Sequence, residues 1–184
     1  MTDGTYKTLL MDPPWLERGS GKIKRGADRH YPLMDVRSIL RAVLASGYWR
    51  PDPEGAVLWC WTTNTFLPDA LWLVDALGFR YVTNAVWVKE GRPGLGQWLR
   101  GQHELLLLAH AGQRPVTART DRRDLPSVIS APRGRHSAKP EASYRLIEER
   151  TTGPRVEFFA RTPRPGWDAW GNDPALGGDD DHES

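Results

Sequence analysis

The segment from Thr8 to Trp15 constrains the fold of this chain more than any other. Its apolar first half predicts the end of a buried parallel strand. Asp12 follows at the strand end, and Pro13 and Pro14 then prevent both ladder hydrogen bonding and helical continuation. Because open α/β sheets bind ligands beyond the carboxyl ends of their strands, the sequence predicts a functional site at Asp12.

The residues at this strand end suit the recognition of an exocyclic amine on a planar base. The carboxylate of Asp12 and the carbonyl of Pro13 can each accept one N–H of such an amine, and Trp15 can stack on the base. Two acceptors would hold the nitrogen lone pair out of conjugation, ready to attack an electrophilic methyl group. The alternative interpretation is a strand that ends in a proline turn beside a core tryptophan.

Charge is distributed unevenly along the 184 residues. The net charge is only +2, but the segment after residue 172 has five acids and no base, which leaves 25 basic and 18 acidic residues in the remainder. A moderately basic body is compatible with a nucleic-acid partner. Cys60 is the only cysteine, so no internal disulfide can form, in agreement with a reducing, cytoplasmic setting. No apolar stretch is long enough to cross a membrane.

Alternating strand and helix patterns predict an α/β fold with a mostly parallel sheet and one antiparallel strand. We expect one domain over residues 1–172 and an acidic, disordered tail over 173–184. Asp35 is a plausible N-cap, and a hairpin joins the third and fourth strands. The expected strands are 6–11, 56–61, 81–88, 104–109, 127–130 and 156–160, and the expected helices are 35–46, 67–77 and 140–150.

The stretch from Leu16 to His30 is rich in glycine and basic residues and has almost no apolar side chain. Because it follows Trp15 directly, we interpret it as a mobile basic flap beside the site that contacts a phosphate backbone. A solvated surface loop is the alternative. The basic residues in question are Arg18, Lys22, Lys24 and Arg25.

Several segments, in order, resemble the MT-A70 family of S-adenosylmethionine-dependent adenine-N6 methyltransferases. They cover most of residues 5–173 and comprise residues 12–15, 61–64, 86–89, 94–105, 136–141, 157–161, 166–168 and 171–172. The resemblance implies a Rossmann-like fold in permuted order, with the catalytic strand first and the cofactor half last. The chain departs from the family pattern at Thr162-Pro163-Arg164 and at Asp173.

The resemblance also implies roles for single residues. It places Asp12, Pro13, Pro14 and Trp15 around the target amine as the catalytic group. It makes Lys139 a contact of the methionine carboxylate of S-adenosylmethionine, and it adds Asp12, Arg161 and Asn172 as further cofactor contacts. The predicted substrate-binding residues are Trp15, Lys22, Lys24, Arg25, Trp87 and Lys89. No metal ion is expected.

The function implied is methyl transfer from S-adenosylmethionine to the N6 amine of adenine in nucleic acid, with DNA favoured over RNA. Two alternatives stay open at this point: a non-catalytic nucleic-acid-binding partner subunit of a methyltransferase, and a cytosine-N4 methyltransferase. The sequence also leaves the oligomeric state open, with a homo- or heterodimer among the alternatives.

Overall fold

A computed structural model describes residues 4–16, 33–93, 98–112, 124–134 and 138–171. The predicted basic flap and the predicted acidic tail lie outside these ranges. The strands are β1 (Thr8–Met11), β2 (Ala56–Thr62), β3 (Arg80–Lys89), β4 (His103–Ala111), β5 (Val128–Ala131), β6 (Arg155–Phe158) and β7 (Asp168–Trp170). The helices are α1 (Val36–Ala45), α2 (Leu67–Ala76) and α3 (Glu141–Arg150).

The seven strands form one sheet in the order β5-β3-β4-β2-β1-β6-β7. Only β4 runs antiparallel to its neighbours, β2 and β3, whereas the other pairs are parallel. This confirms the prediction of a mostly parallel α/β sheet with one antiparallel strand and a hairpin between β3 and β4. One edge of the sheet therefore carries the carboxyl ends of six strands and the amino end of β4.

The sheet has an apolar core on each face, because alternate residues of its buried strands point to opposite sides. Leu9 and Met11 of β1 join α1 and α2 in one core, whereas Leu10 faces the other core with Ile147 of α3. Strands β1 and β2 are buried along their whole length, as expected for parallel strands covered on both sides. Each α-helix in the described part of the chain has ten residues, too few to span a bilayer.

The helix boundaries follow local signals in the sequence. The Asp35 carboxylate caps α1 by accepting hydrogen bonds from the backbone N–H groups of Arg37 and Ser38, as predicted. Helix α2 begins with Pro68 in its first turn and is followed by Gly78 at a φ of 82°. The predicted helices thus occur within one or two residues of their expected bounds.

The chain after β6 differs from the sequence-based prediction. The last expected strand was 156–160, whereas residues 168–170 form a further strand, β7, beside β6. Arg164 holds the intervening segment against α3, because its guanidinium makes two hydrogen bonds of 2.8 Å to Glu141 and one of 2.9 Å to Glu148. The strand predicted over residues 156–160 ends early, at Phe158. Phe159 has a φ of 61°, a left-handed conformation that turns the backbone away from the sheet.

A close backbone contact joins the ends of β6 and β7. The N–H of Ala160 donates to the carbonyl of Trp170 at 3.1 Å. A Cβ atom added at Gly171 would lie 2.2 Å from the Ala160 carbonyl oxygen and 2.6 Å from its nitrogen. Backbone atoms cannot move aside as a flexible side chain does, so this contact requires glycine at position 171.

We therefore expect Gly171→Ala to lower the free energy of unfolding by about 1–3 kcal/mol, the usual cost of overpacking. Gly101→Ala is the matched control, because a Cβ atom there would have no neighbour within 4 Å. Urea unfolding followed by circular dichroism measures both variants. Equal urea midpoints for the two variants would show that the ends of β6 and β7 can move apart without loss of stability.

Candidate active site

The carboxylate of Asp12 lies between two cations at the carboxyl edge of the sheet. The Nζ atom of Lys139 is 2.7 Å from its Oδ1 atom, and a guanidinium nitrogen of Arg161 is 3.2 Å from its Oδ2 atom. The side chains of Asp12 and Lys139 are only 13% and 8% exposed, and that of Arg161 is 29% exposed. Each carboxylate oxygen thus has its own cationic partner in a largely water-excluded position.

The topology brings these three residues together from distant parts of the sequence. Asp12 follows β1, Arg161 follows the neighbouring parallel strand β6, and the N–H of Asp12 donates to the Phe158 carbonyl at 3.4 Å. Lys139 comes directly before Pro140, the N-cap of α3, so its backbone lies at a helix N-terminus. The structure therefore places Asp12, Lys139 and Arg161 in one site.

Glu104 extends this cluster from the antiparallel strand. It lies at the amino end of β4, its Oε2 atom is 3.4 Å from Lys139 Nζ, and its Oε1 atom accepts a hydrogen bond from Lys89 at the end of β3. Burial would raise the pKa of the Glu104 carboxyl, but the positive charges of Lys139 and Lys89 outweigh it and hold this pKa below its usual value. Glu104 therefore stays ionised and links both lysines.

Glu157 is a second buried acid close to Asp12. It pairs with Leu10 in the register of β6 and β1, and it accepts a hydrogen bond of 2.9 Å from the Tyr144 hydroxyl of α3. Burial and, to a smaller extent, the nearby carboxylate of Asp12 raise its pKa to about 7, although the Tyr144 hydrogen bond partly offsets them. Near neutral pH this residue therefore exists in both protonation states.

The two prolines form a turn that positions Trp15. The Pro13 carbonyl accepts from the Trp15 N–H at 2.9 Å, and the Pro14 carbonyl accepts from the Met34 N–H at 2.8 Å. The Trp15 indole N–H donates to the Trp61 carbonyl at 3.2 Å, and its ring stacks on Phe66 with centroids 5.7 Å apart. The turn is thus held by its own backbone and by β2.

The predicted substrate-binding residues have different surroundings in the structure. Lys89 is at the site edge, paired with Glu104 and 5.0 Å from the centroid of the Trp87 ring. Trp87 itself is 2% exposed, and its indole N–H donates to the Ala131 carbonyl at 3.0 Å, so its surroundings are those of a core residue. Its contact with substrate stays a prediction. Four residues with predicted roles lie outside the described ranges: Lys22, Lys24, Arg25 and Asn172.

Sequence reasoning missed two members of this charged cluster. Glu104 and Glu157 both lie in matched segments, but neither was assigned to the site. The available signal was an acidic residue inside an apolar strand pattern, since carboxylates are rarely buried without a partner. Glu104 could have been placed at the site by noting that the amino end of an antiparallel strand meets the carboxyl ends of its neighbours.

Comparison with known proteins shows a family match over most of the chain. The family model MT-A70 matches residues 6–173. The type II methyltransferase M.MunI of Mycoplasma sp is 26% identical over 185 residues, which cover 90% of this chain and 76% of that protein. The N(6)-adenine-specific methyltransferase METTL4 of Mus musculus is 27% identical over 194 residues, which cover 92% of this chain and 37% of that protein.

The matched region contains all of the site described above, from Asp12 after β1 to Arg161 after β6. This chain spans about three quarters of the first relative and little more than a third of the second. Both are methyltransferases by name. The chain therefore belongs to the MT-A70 family of methyltransferases.

Proposed function

We propose that this protein transfers a methyl group from S-adenosylmethionine to the N6 amine of adenine in nucleic acid. The observation that carries the proposal is the position of the Asp12 carboxylate. It is largely buried, it is held by two cations, and Asp12 lies between the end of β1 and the Pro13-Pro14 turn. The adenine specificity stated in the name of one relative supports it.

The polar groups of the site fit the donor. S-adenosylmethionine carries a carboxylate and an ammonium group, and when bound it supplies an electrophilic methyl group on a sulfonium. Lys139, beside the N-terminus of α3, offers a cation for the carboxylate, where the helix dipole also favours negative charge. Asp12 and Glu104 offer acceptors for the ammonium group. Arg161, at the end of β6, is a third candidate contact.

The Asp12-Pro13 unit suits the acceptor amine. One oxygen of Asp12 can accept from one N6 hydrogen, and the Pro13 carbonyl can accept from the other. That carbonyl already receives the Trp15 N–H, but a carbonyl oxygen has two lone pairs. These two acceptors orient the N6 lone pair and stabilise the positive charge that develops on the nitrogen.

Trp15 supplies a stacking surface for the base. Phe66 covers one face of its indole, so the adenine would stack on the opposite face. In a duplex the adenine must first leave the helix, which costs a few kcal/mol, and we therefore expect unpaired or mismatched targets to react faster. DNA is favoured over RNA as the substrate.

The first expectation is that Asp12→Ala lowers the rate of methyl transfer by about 10²–10³-fold, the effect of losing one transition-state contact. Binding of S-adenosylmethionine should largely persist, because Lys139 and Glu104 still offer partners for its carboxylate and its ammonium group. Transfer assays on single-stranded DNA, duplex DNA and RNA, with calorimetry on the same preparation, measure both quantities.

The control for this test is Asp75→Ala, which removes an exposed carboxylate from α2. It should transfer methyl groups like the wild type. Retained turnover in Asp12→Ala would end the proposed role of the carboxylate. Absence of transfer from the wild type to any of the three substrates, despite cofactor binding, would favour the alternative of a non-catalytic partner subunit.

A second expectation concerns Lys139. If its ammonium group pairs with the cofactor carboxylate, Lys139→Ala should weaken binding of S-adenosylmethionine by about 1.5–3 kcal/mol, as is typical of a charged hydrogen bond. Lys7→Ala, which removes a lysine next to the opposite end of β1, is the matched control. An unchanged dissociation constant in Lys139→Ala, measured by calorimetry, would show that Lys139 serves Asp12 and Glu104 alone.

A further inference from the structure

Trp98 and Leu99 expose two large apolar side chains that the fold does not use. Trp98 is 95% exposed and Leu99 is 86% exposed. All nine tryptophans lie within the described residues, and the next most exposed, Trp72, reaches only 43%. The other seven are buried or partly buried. Exposed apolar groups of this size usually mark a contact with another molecule.

These two residues belong to the connection between β3 and β4, at the edge of the sheet that carries the site. The base of this connection is closed by a hydrogen bond of 2.7 Å from the Lys89 N–H to the Gln102 carbonyl. Trp98 precedes Glu104 by six residues, a separation that an extended chain spans in at most about 22 Å. Glu104 in turn contacts Lys139, the partner of Asp12.

The separation between Trp98 and Glu104 limits which bases of a nucleic-acid substrate Trp98 can contact. Successive nucleotides of one strand are about 3.4 Å apart along a helix. Because 22 Å corresponds to about six such steps, the Trp98 indole lies within about six nucleotides of a base held beside Glu104. It is a different surface from the Trp15 ring, which packs on Phe66 beneath the target position.

The charges around Trp98 fit a phosphate backbone. Arg92 and Arg100 lie in the described parts of the same connection and are exposed. Glu90, the acid in those parts, accepts a hydrogen bond of 3.2 Å from the Ser130 hydroxyl. An aromatic ring flanked by cations is typical of surfaces that stack on bases and hold the backbone. Two apolar side chains are a small area for a protein interface, which usually buries about 800 Å² per partner.

We propose that Trp98 stacks on a base next to the target adenine, while Arg92 and Arg100 contact the flanking phosphates. This inference rests on the proposed function. When the adenine leaves its stack to reach Asp12, its neighbour loses a stacking partner. The Trp98 indole replaces that partner, and Leu99 covers the adjoining apolar edge. The β3–β4 connection thereby becomes a substrate-binding element.

Binding of an adenine-rich, fluorescein-labelled single-stranded oligonucleotide, followed by fluorescence anisotropy without methyl donor, tests the proposal. Trp98→Ala should weaken binding about 5- to 150-fold, the range expected for the loss of one base–aromatic stack. Trp98→Phe should keep most of the affinity, because phenylalanine retains a π face. Trp72→Ala, which removes the other exposed tryptophan from α2, should bind like the wild type. Affinity for S-adenosylmethionine should be equal in all four proteins.

The outcomes separate this inference from the proposed function. If the wild type methylates adenine but Trp98→Ala binds the oligonucleotide within twofold of it, the stacking contact is wrong and the proposed function stands. If oligonucleotide binding depends on Trp98 but no methyl transfer occurs, the proposed function fails and the stacking contact stands. A wild type that binds no oligonucleotide overturns the stacking contact. An affinity loss in Trp98→Ala that coincides with dissociation of a dimer in sedimentation also overturns it, since Trp98 then contacts a second copy of the chain.

Discussion

The Asp12 carboxylate lies at the end of an interior strand, β1. It is paired with two cations, both of which belong to the last third of the described chain. Its pairing with Lys139 ties β1 to the start of α3, and its pairing with Arg161 ties β1 to the turn after β6. A largely buried carboxylate without such partners would be strongly disfavoured. The first strand of the chain can therefore carry a charged site only after residues 139–161 have folded onto it.

The antiparallel strand β4 completes the same site from the other side. Because β4 starts at the edge where its neighbours end, Glu104 reaches Lys139, and Trp98 precedes this end of β4 by a few residues. The cluster has three cations and three carboxyl groups: Lys89, Lys139 and Arg161 with Asp12, Glu104 and Glu157. Its cations are suited to an anionic substrate and to a cofactor carboxylate.

Much of the fold could be predicted from the sequence because its signals are local. The proline turn after β1, the Asp35 cap of α1 and the hairpin of β3 and β4 each depend on a few neighbouring residues. Strand β7 could not, since a three-residue strand among prolines and glycines has no periodicity and exists only by pairing with β6. Likewise, the resemblance named Asp12, Lys139 and Arg161 separately, but their mutual contacts follow from strand order and register, which no local pattern contains.

The identity of the methylated atom tests the central claim most directly. The protein would be incubated with S-adenosylmethionine labelled with ¹³C at the methyl group and an oligonucleotide that contains both adenine and cytosine. The product would then be digested to nucleosides and analysed by mass spectrometry and NMR. We expect the labelled methyl group on N6 of adenine in the product of the wild type. A labelled methyl group on N4 of cytosine, or on a ring nitrogen, would contradict it.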